Sequence, residues 1–484
     1  MKGFLELLSD PQNRWIVLAL SSFLLFFAYS NHLRLSSDPV LYSAIARTMA
    51  DSGDFSSLKL DDEPYYHKPP MLFWLSALAI KVLGPNLFAV TLFSRIFGIA
   101  AVFLTGWLGR RLYDDKVGWA AALILTTSFI FLSPSITFRL DSALTFGILL
   151  SIAGYLNGER RWGPPVFYIG IAVGVLAKGP PGVLPLFLAP LHAGLSGSPV
   201  PLMQRLMRWL LWSPLLLVPL AWYGYLFLTE GYLPFTILFN DLMRTSVESN
   251  RIHEFWRAYV VQLTGTYWPW LPFALAGSWF TFRVALDPKQ QRSERATAGF
   301  LLGWIGITFA SCAFKNVQYI RYILIAIPAI SIVAAVALVR FVGDRYFDWL
   351  PRAAGILALI GALVLISYPI GAREWEEEQY SAIAQILDHR YAPKTPVPLL
   401  ASKTRDGNNP ERYRADKARS IFFFGRSIRL ITVEEVKEEA ALGRLTLLIR
   451  TADYRRIEKV LPVEKLIFAK SFVIVEIDRR RAIS

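Results

Sequence analysis

Apolar runs of about twenty residues recur along the first three quarters of the chain, each separated from the next by a short polar or basic loop. A helix of that length spans roughly 30 Å, the thickness of a bilayer's hydrocarbon core. The runs fall at 15–30, 88–108, 118–132, 143–156, 166–177, 182–195, 209–228, 259–280, 298–313, 319–339 and 353–370, and short apolar stretches such as 71–83 extend the set. Charged residues make up 18% of the chain, where a soluble protein carries about a quarter. The expected fold class is a polytopic α-helical membrane protein of about 11–13 spans with a C-terminal soluble α/β domain. The first run is followed by Asn31-His32-Leu33 rather than by a small-residue cleavage site, so it reads as an uncleaved span.

The formal net charge is +14. Much of the excess lies in short loops between spans, which fits membrane orientation and not nucleic-acid binding. Alternate loops carry Arg110, Arg111 and Lys116; Arg160 and Arg161; Arg205 and Arg208; Arg283, Lys289, Arg292 and Arg295; and Arg340, Arg345 and Arg352. These loops are expected to be cytoplasmic, with the N-terminus. The intervening loops, 31–70 among them, then face the periplasm or exterior, as does the C-terminus. This predicts a multi-pass protein of the inner cell membrane. Cys312 is the single cysteine, so neither an intramolecular disulfide nor a cysteine metal cluster is possible, and the five histidines lack ligand spacing.

At residue 371 the composition changes. Glu374-Trp375-Glu376-Glu377-Glu378 opens a charged segment, and short apolar stretches at 397–401, 421–424, 445–449 and 466–477 read as strands between helices. The expected division is therefore a membrane domain over 1–370, with an external catalytic loop at 31–70, and an external α/β domain over 371–484. The latter shows no glycine-rich phosphate loop and reads as a structural or acceptor-docking lobe.

Several polar residues sit where they are expensive. Asp38 follows the first span, and a carboxylate at a low-dielectric boundary can serve as a base, although Asp-Pro also simply opens turns. Asp141 stands at the external mouth of another span beside Arg139; the helix macrodipole or a pair with Arg139 would equally account for it. Lys68, in His67-Lys68-Pro69-Pro70, either snorkels to headgroups or meets a phosphate. Lys178 interrupts an apolar run in Lys178-Gly179-Pro180-Pro181, where a lysine needs a cavity or a partner. Arg244 lies in the 229–258 loop, and Tyr319 and Arg321 lie after the run that ends at Ala313. Several external cations with two carboxylates suggest a site for an anionic lipid-linked substrate.

Taken together, these stretches resemble the C-type membrane glycosyltransferases, in the branch that holds the lipid A aminoarabinose transferases and the protein O-mannosyltransferases. The resemblance runs through Asp38-Pro39-Val40-Leu41-Tyr42, Tyr66-His67-Lys68-Pro69-Pro70, Arg139-Leu140-Asp141-Ser142, Leu176-Ala177-Lys178-Gly179-Pro180, His253-Glu254-Phe255-Trp256 and Arg321-Tyr322-Ile323-Leu324. The family usually has Asp-Glu where this chain has Asp38-Pro39, and Glu-Lys-Pro-Pro where it has His67-Lys68-Pro69-Pro70. Two carboxylates that could bind a divalent metal or the acceptor are thus missing, and no cofactor is called for.

The resemblance implies transfer of a sugar from a polyprenyl-phosphate donor to a membrane lipid, glycan or protein hydroxyl. Asp38 would deprotonate or orient the acceptor, and Asp141 would position the acceptor or support Asp38. Lys68 and Arg244, with Lys178 and Arg321, would hold the leaving phosphate, and Tyr319 would donate a hydrogen bond to it. His67, Tyr42 and Arg139 are acceptor or accessory residues. Two other readings stand beside it: a transporter or flippase for a lipid-linked sugar, in which the same cations bind the phosphate and Asp38 has no catalytic part, and a noncatalytic assembly factor whose soluble tail recruits partners.

Overall fold

The computed structural model describes residues 13–27, 38–197, 209–243, 252–313, 319–347, 349–367, 376–392, 394–400, 410–457, 464–468 and 472–477. The chain forms two compact units that interleave in sequence. The first comprises Met1–Tyr29, Tyr66–Leu72 and Phe93–Ser367; the second comprises Ser30–Tyr65, Phe73–Leu92 and Tyr368–Ser484.

The first unit is helical among its described residues. Two helices, Leu87–Leu112 and Ile320–Gly343, are long and apolar enough to cross a bilayer by themselves, and the bent pair Asp115–Thr127 and Phe129–Ser135 (62°) makes up to a third. Arg14–Phe27, Asp141–Leu156, Gly163–Lys178 and Leu271–Leu286 are apolar but shorter, as is Met71–Leu83, most of which belongs to the second unit. At 1.5 Å per residue a 16-residue helix reaches about 24 Å, short of a full hydrocarbon crossing. Breaks limit these lengths, one of them inside the 118–132 window and one between the 166–177 and 182–195 windows. Ser128 ends one helix with an extended backbone, and Gly179, at φ 81°, ends another. The outward face of this unit is apolar: Leu217, Val218, Leu220 and Leu228 are all exposed. Such a surface is unfavourable in water and suits lipid.

In the second unit, the helix Asp38–Ser52 leads into a two-stranded hairpin, β1 (Lys59–Leu60) and β2 (Glu63–Pro64). Further along the chain come β3 (Val397–Leu400), β4 (Ile428–Ile431), β5 (Leu445–Arg450), β6 (Glu464–Phe468) and β7 (Phe472–Ile477), in the sheet order β4-β3-β5-β7-β6. β3 pairs parallel with β4 and β5, while β7 pairs antiparallel with β5 and β6. Every residue of β3 and β5 is buried, as expected of central strands covered on both faces. Helix Val433–Leu442 starts with a capping box, in which Thr432 and Glu435 each accept from the other's backbone N–H.

One expected strand is corrected. Residues 421–424 are the last turn of helix Pro410–Phe424, and the strand at this point is β4, four residues later. Ile421-Phe422-Phe423-Phe424 is too short an apolar run for its period to separate strand from helix. Residues 466–477, read as one strand, form parts of two, β6 and β7.

Candidate functional site

The site grows out of a helical hairpin. Helices Asp141–Leu156 and Gly163–Lys178 each have 16 residues and run antiparallel across a short turn. Equal arms bring the first residue of one beside the last residue of the other. The two helices approach closely because small residues line the seam. A Cβ on Gly147 would lie 2.6 Å from the backbone nitrogen of Gly174, and one on Gly154 would lie 2.3 Å from that of Phe167. Ser151 Oγ donates to the Phe167 carbonyl at 2.9 Å. Such contact is how helices associate where lipid removes the hydrophobic drive.

At the open end, Lys178 Nζ donates to Asp141 Oδ1. Asp141 is buried, and the Lys178 side chain is largely so. Each charge also suits its helix end: the acid stands at the N-terminus and the base at the C-terminus.

Two more cations surround this carboxylate. Arg139 and Arg321 both lie close enough to act on its charge. Ser94 Oγ donates to the Arg139 carbonyl at 3.1 Å, and the fully buried Arg95 donates to the carbonyls of Phe26 (3.1 Å) and Ile136 (3.5 Å). These contacts fix the 136–139 turn, which carries Arg139 and leads into the helix that begins at Asp141. Arg321 belongs to the short 3₁₀ helix Ile320–Ala326. Its guanidinium lies 4.1 Å from the centre of the Tyr319 ring and 5.9 Å from that of Tyr322. Lys178 Nζ lies 5.7 Å from the centre of the Tyr322 ring, and the Tyr319 carbonyl accepts from Tyr259 Oη at 3.2 Å. Three cations and a carboxylate are thus gathered in largely buried surroundings. That arrangement favours an incoming anion.

The segment His67-Lys68-Pro69-Pro70 belongs to the same unit. His67 and Lys68 are half-buried and the prolines buried. A Cβ on Gly179 would lie 3.9 Å from Pro69 Cγ and 3.5 Å from Tyr223 Oη. The two lysine-proline segments, one ending at Pro70 and the other beginning at Lys178, therefore pack side by side. Next to them Tyr66 Oη donates to Glu230 Oε2 at 2.9 Å. Burial, and then the Glu230 carboxylate, push the Tyr66 phenol up to about 12.

Within this unit the structure gathers Asp141, Arg139, Lys178, Arg321 and Tyr319. Asp38 and Tyr42 belong to the second unit. Asp38 is the first residue of the helix Asp38–Ser52, and Tyr42 packs edge-on against Phe73 (5.3 Å) and Tyr65 (6.4 Å). Arg244 lies outside the described residues. No group of three or more metal-ligating side chains occurs among the described residues. Sequence reasoning assigned no role to Arg95, Tyr322 or Glu230. Arg95 did carry a signal, an arginine within a long apolar run. Tyr322 lies in a stretch through which the resemblance runs, and Glu230 carried no signal, because an ordinary helix-end residue matches its surroundings.

A helical membrane unit with a cation-rich site, joined to a small α/β unit, places the chain among polytopic membrane proteins with a C-terminal soluble domain. Within that class it matches the lipid-phosphate sugar transferases that its motifs resemble. The family described as dolichyl-phosphate-mannose-protein mannosyltransferase matches residues 67–223. An undecaprenyl phosphate-alpha-4-amino-4-deoxy-L-arabinose arabinosyl transferase of Pseudomonas paraeruginosa is 29% identical over 403 residues, 78% of this chain and 70% of that one. An uncharacterized protein of Aquifex aeolicus is 26% identical over 302 residues, 61% of this chain. The match spans 57% of the Aquifex protein's length, and 59% of that of a related Pseudomonas aeruginosa transferase. In fold, the chain is similar to ArnT from Cupriavidus metallidurans bound to undecaprenyl phosphate, with a TM-score of 0.72 at 14% identity over 95% of this chain and 97% of that one.

Proposed function

We propose that the protein is an integral-membrane glycosyltransferase that moves a sugar from a polyprenyl-phosphate donor to a hydroxyl of a lipid, glycan or protein on the external face, with inversion. The observation that carries this reading is the gathering of three cations, Lys178, Arg139 and Arg321, around Asp141. The likeness to transferases named for an undecaprenyl-phosphate-linked sugar supports it. As the glycosidic bond breaks, charge grows on the departing phosphate, and fixed cations act most strongly on such developing charge.

In this reading Lys178, Arg321 and Lys68 hold the phosphate, with Arg244 joining from the 229–258 loop and Tyr319 donating a hydrogen bond. Asp141 keeps Lys178 extended toward the donor. Asp38 removes or orients the acceptor proton, and His67, Tyr42 and Arg139 line the acceptor side. About 11–13 spans cross the inner membrane over 1–370, some of them broken or short. The N-terminus is cytoplasmic, and the domain over 371–484 is periplasmic or extracellular.

Binding of undecaprenyl phosphate to the purified protein tests the phosphate assignment. Arg321→Ala is expected to weaken it by about tenfold or more, in line with the roughly 1.5–3 kcal/mol of a charged hydrogen bond. Unchanged binding in both Arg321→Ala and Lys178→Ala would place the phosphate elsewhere.

A further inference from the structure

Within the second unit, helix Pro410–Phe424 grips the segment that carries Asp38. Lys417 Nζ lies 2.8 Å from Glu63 Oε1 and 3.5 Å from Asp61 Oδ2, both on the β1–β2 hairpin. Its side chain is only 9% exposed. A lysine so buried is costly unless carboxylates meet it, and here two do. Arg47, on the helix that begins at Asp38, donates through Nη1 to the carbonyl of Phe422. That carbonyl belongs to the last turn of its helix, where no intrahelical donor remains for it. Gly425 follows with φ +67°, and a Cβ there would lie 2.6 Å from Arg47 Nη2. Only glycine fits both the turn and the guanidinium. Arg414, on the same helix, lies 5.6 Å from the centre of the Tyr65 ring, at the far end of the segment.

These contacts join residues more than 350 positions apart in sequence at two points, with Arg414 and Tyr65 a third, also distant pair. Arg47 stands nine residues after Asp38, about 13 Å along one continuous helix. A helix of this length behaves as a rod, so a fixed Arg47 fixes Asp38.

We propose that Arg47 and Lys417 are positioning residues: they clamp the Asp38 helix and its hairpin to helix Pro410–Phe424, so that the C-terminal domain sets the place of Asp38. This rests on the proposed role of Asp38 in transfer. The composition of the domain suggested a structural or docking lobe; the clamp gives it a part in the reaction.

The test uses the purified full-length protein, with hydrogen exchange of amides 38–52 and 59–65 read beside transfer from a panel of undecaprenyl-phosphate-linked sugars. Lys417→Met and Arg47→Gln are expected to raise exchange in these segments by about tenfold. They should also lower kcat by about tenfold with donor KM unchanged, since a small misplacement of a reacting group costs rate rather than donor affinity. Combining Lys417→Glu with Glu63→Lys and Asp61→Asn, which removes the carboxylate that would repel the new glutamate, should restore both in large part, and this exchanged pair still reads the clamp where a single variant folds poorly. Exchange at the wild-type level in both single variants would overturn the clamp. Raised exchange with unchanged kcat would overturn its part in positioning. Wild-type protein that transfers none of the sugars would instead refute the proposed function, and the exchange data alone would then decide the clamp.

Discussion

Lys178, the last residue of one helix, closes an ion pair with Asp141, the first residue of the helix before it, 37 positions earlier in the chain. The pair is the geometric outcome of two 16-residue helices packed antiparallel through glycine contacts. It joins a buried carboxylate to the cation-rich part of the site.

Removing one member of this pair is expected to hurt more than removing both. Lys178→Ala leaves Asp141 buried without its ammonium, a loss that reaches about 3–5 kcal/mol for an uncompensated charge and is smaller here because Arg139 and Arg321 still act on the carboxylate. The double substitution Lys178→Ala with Asp141→Ala should regain most of the thermal stability while transfer stays low. Thermal unfolding in detergent, measured beside transfer, distinguishes them. A double variant no more stable than Lys178→Ala would show that the pair is not the source of the loss.

The glycine seam gives a second expectation. Gly154→Val drives a side chain into the Phe167 backbone and should destabilise by about 1–3 kcal/mol. A Cβ on Gly194 would meet nothing within 4 Å, so Gly194→Ala should stay within about 0.5 kcal/mol of wild type. Melting temperatures of the two variants check this. Equal effects would mean that close approach does not hold the hairpin.

Lys68 separates snorkelling from phosphate binding. Lys68→Ala is expected to lower turnover by about a hundredfold, roughly 3 kcal/mol. Lys68→Arg should recover only part, because an ammonium is a compact charge and a guanidinium a planar fork. Pro69 and Pro70 are buried and restrain the adjacent backbone. Transfer near the wild-type rate in Lys68→Ala would assign the lysine to headgroups.

Much of this was legible in the sequence. Lys178 stood out because a lysine inside an apolar run demands a partner, and the structure supplies Asp141. That the partner would be Asp141 was not legible: it depends on the 157–162 turn making the helix arms equal. Arg321 and Tyr319 were singled out by composition and motif, but their approach at 4.1 Å accompanies a 3₁₀ turn that no period announces. The contact of Arg47 with Phe422 had no local signal, since each residue is ordinary on its own helix. The break at Ser128 was not legible, because the apolar run 118–132 continues through it, whereas the runs 166–177 and 182–195 do stop on either side of Gly179.

Topology follows from the basic loops. Reporters fused after Arg111, Arg161 and Arg208 should read cytoplasmic, and those after Lys59 and Glu378 external. An external reading at Arg111 would invert the orientation and move the site to the other face.

The most direct measurement is transfer by the purified protein from undecaprenyl-phosphate-linked sugars, with wild type and Asp38→Asn compared and products resolved by mass and anomeric configuration. The account predicts that wild type releases undecaprenyl phosphate and forms a glycoside of inverted configuration, and that Asp38→Asn lowers this by about a hundredfold or more, within the range for a lost general base. Movement of the intact lipid-linked sugar across a vesicle membrane, with no glycoside formed and with Asp38→Asn as active as wild type, would contradict it.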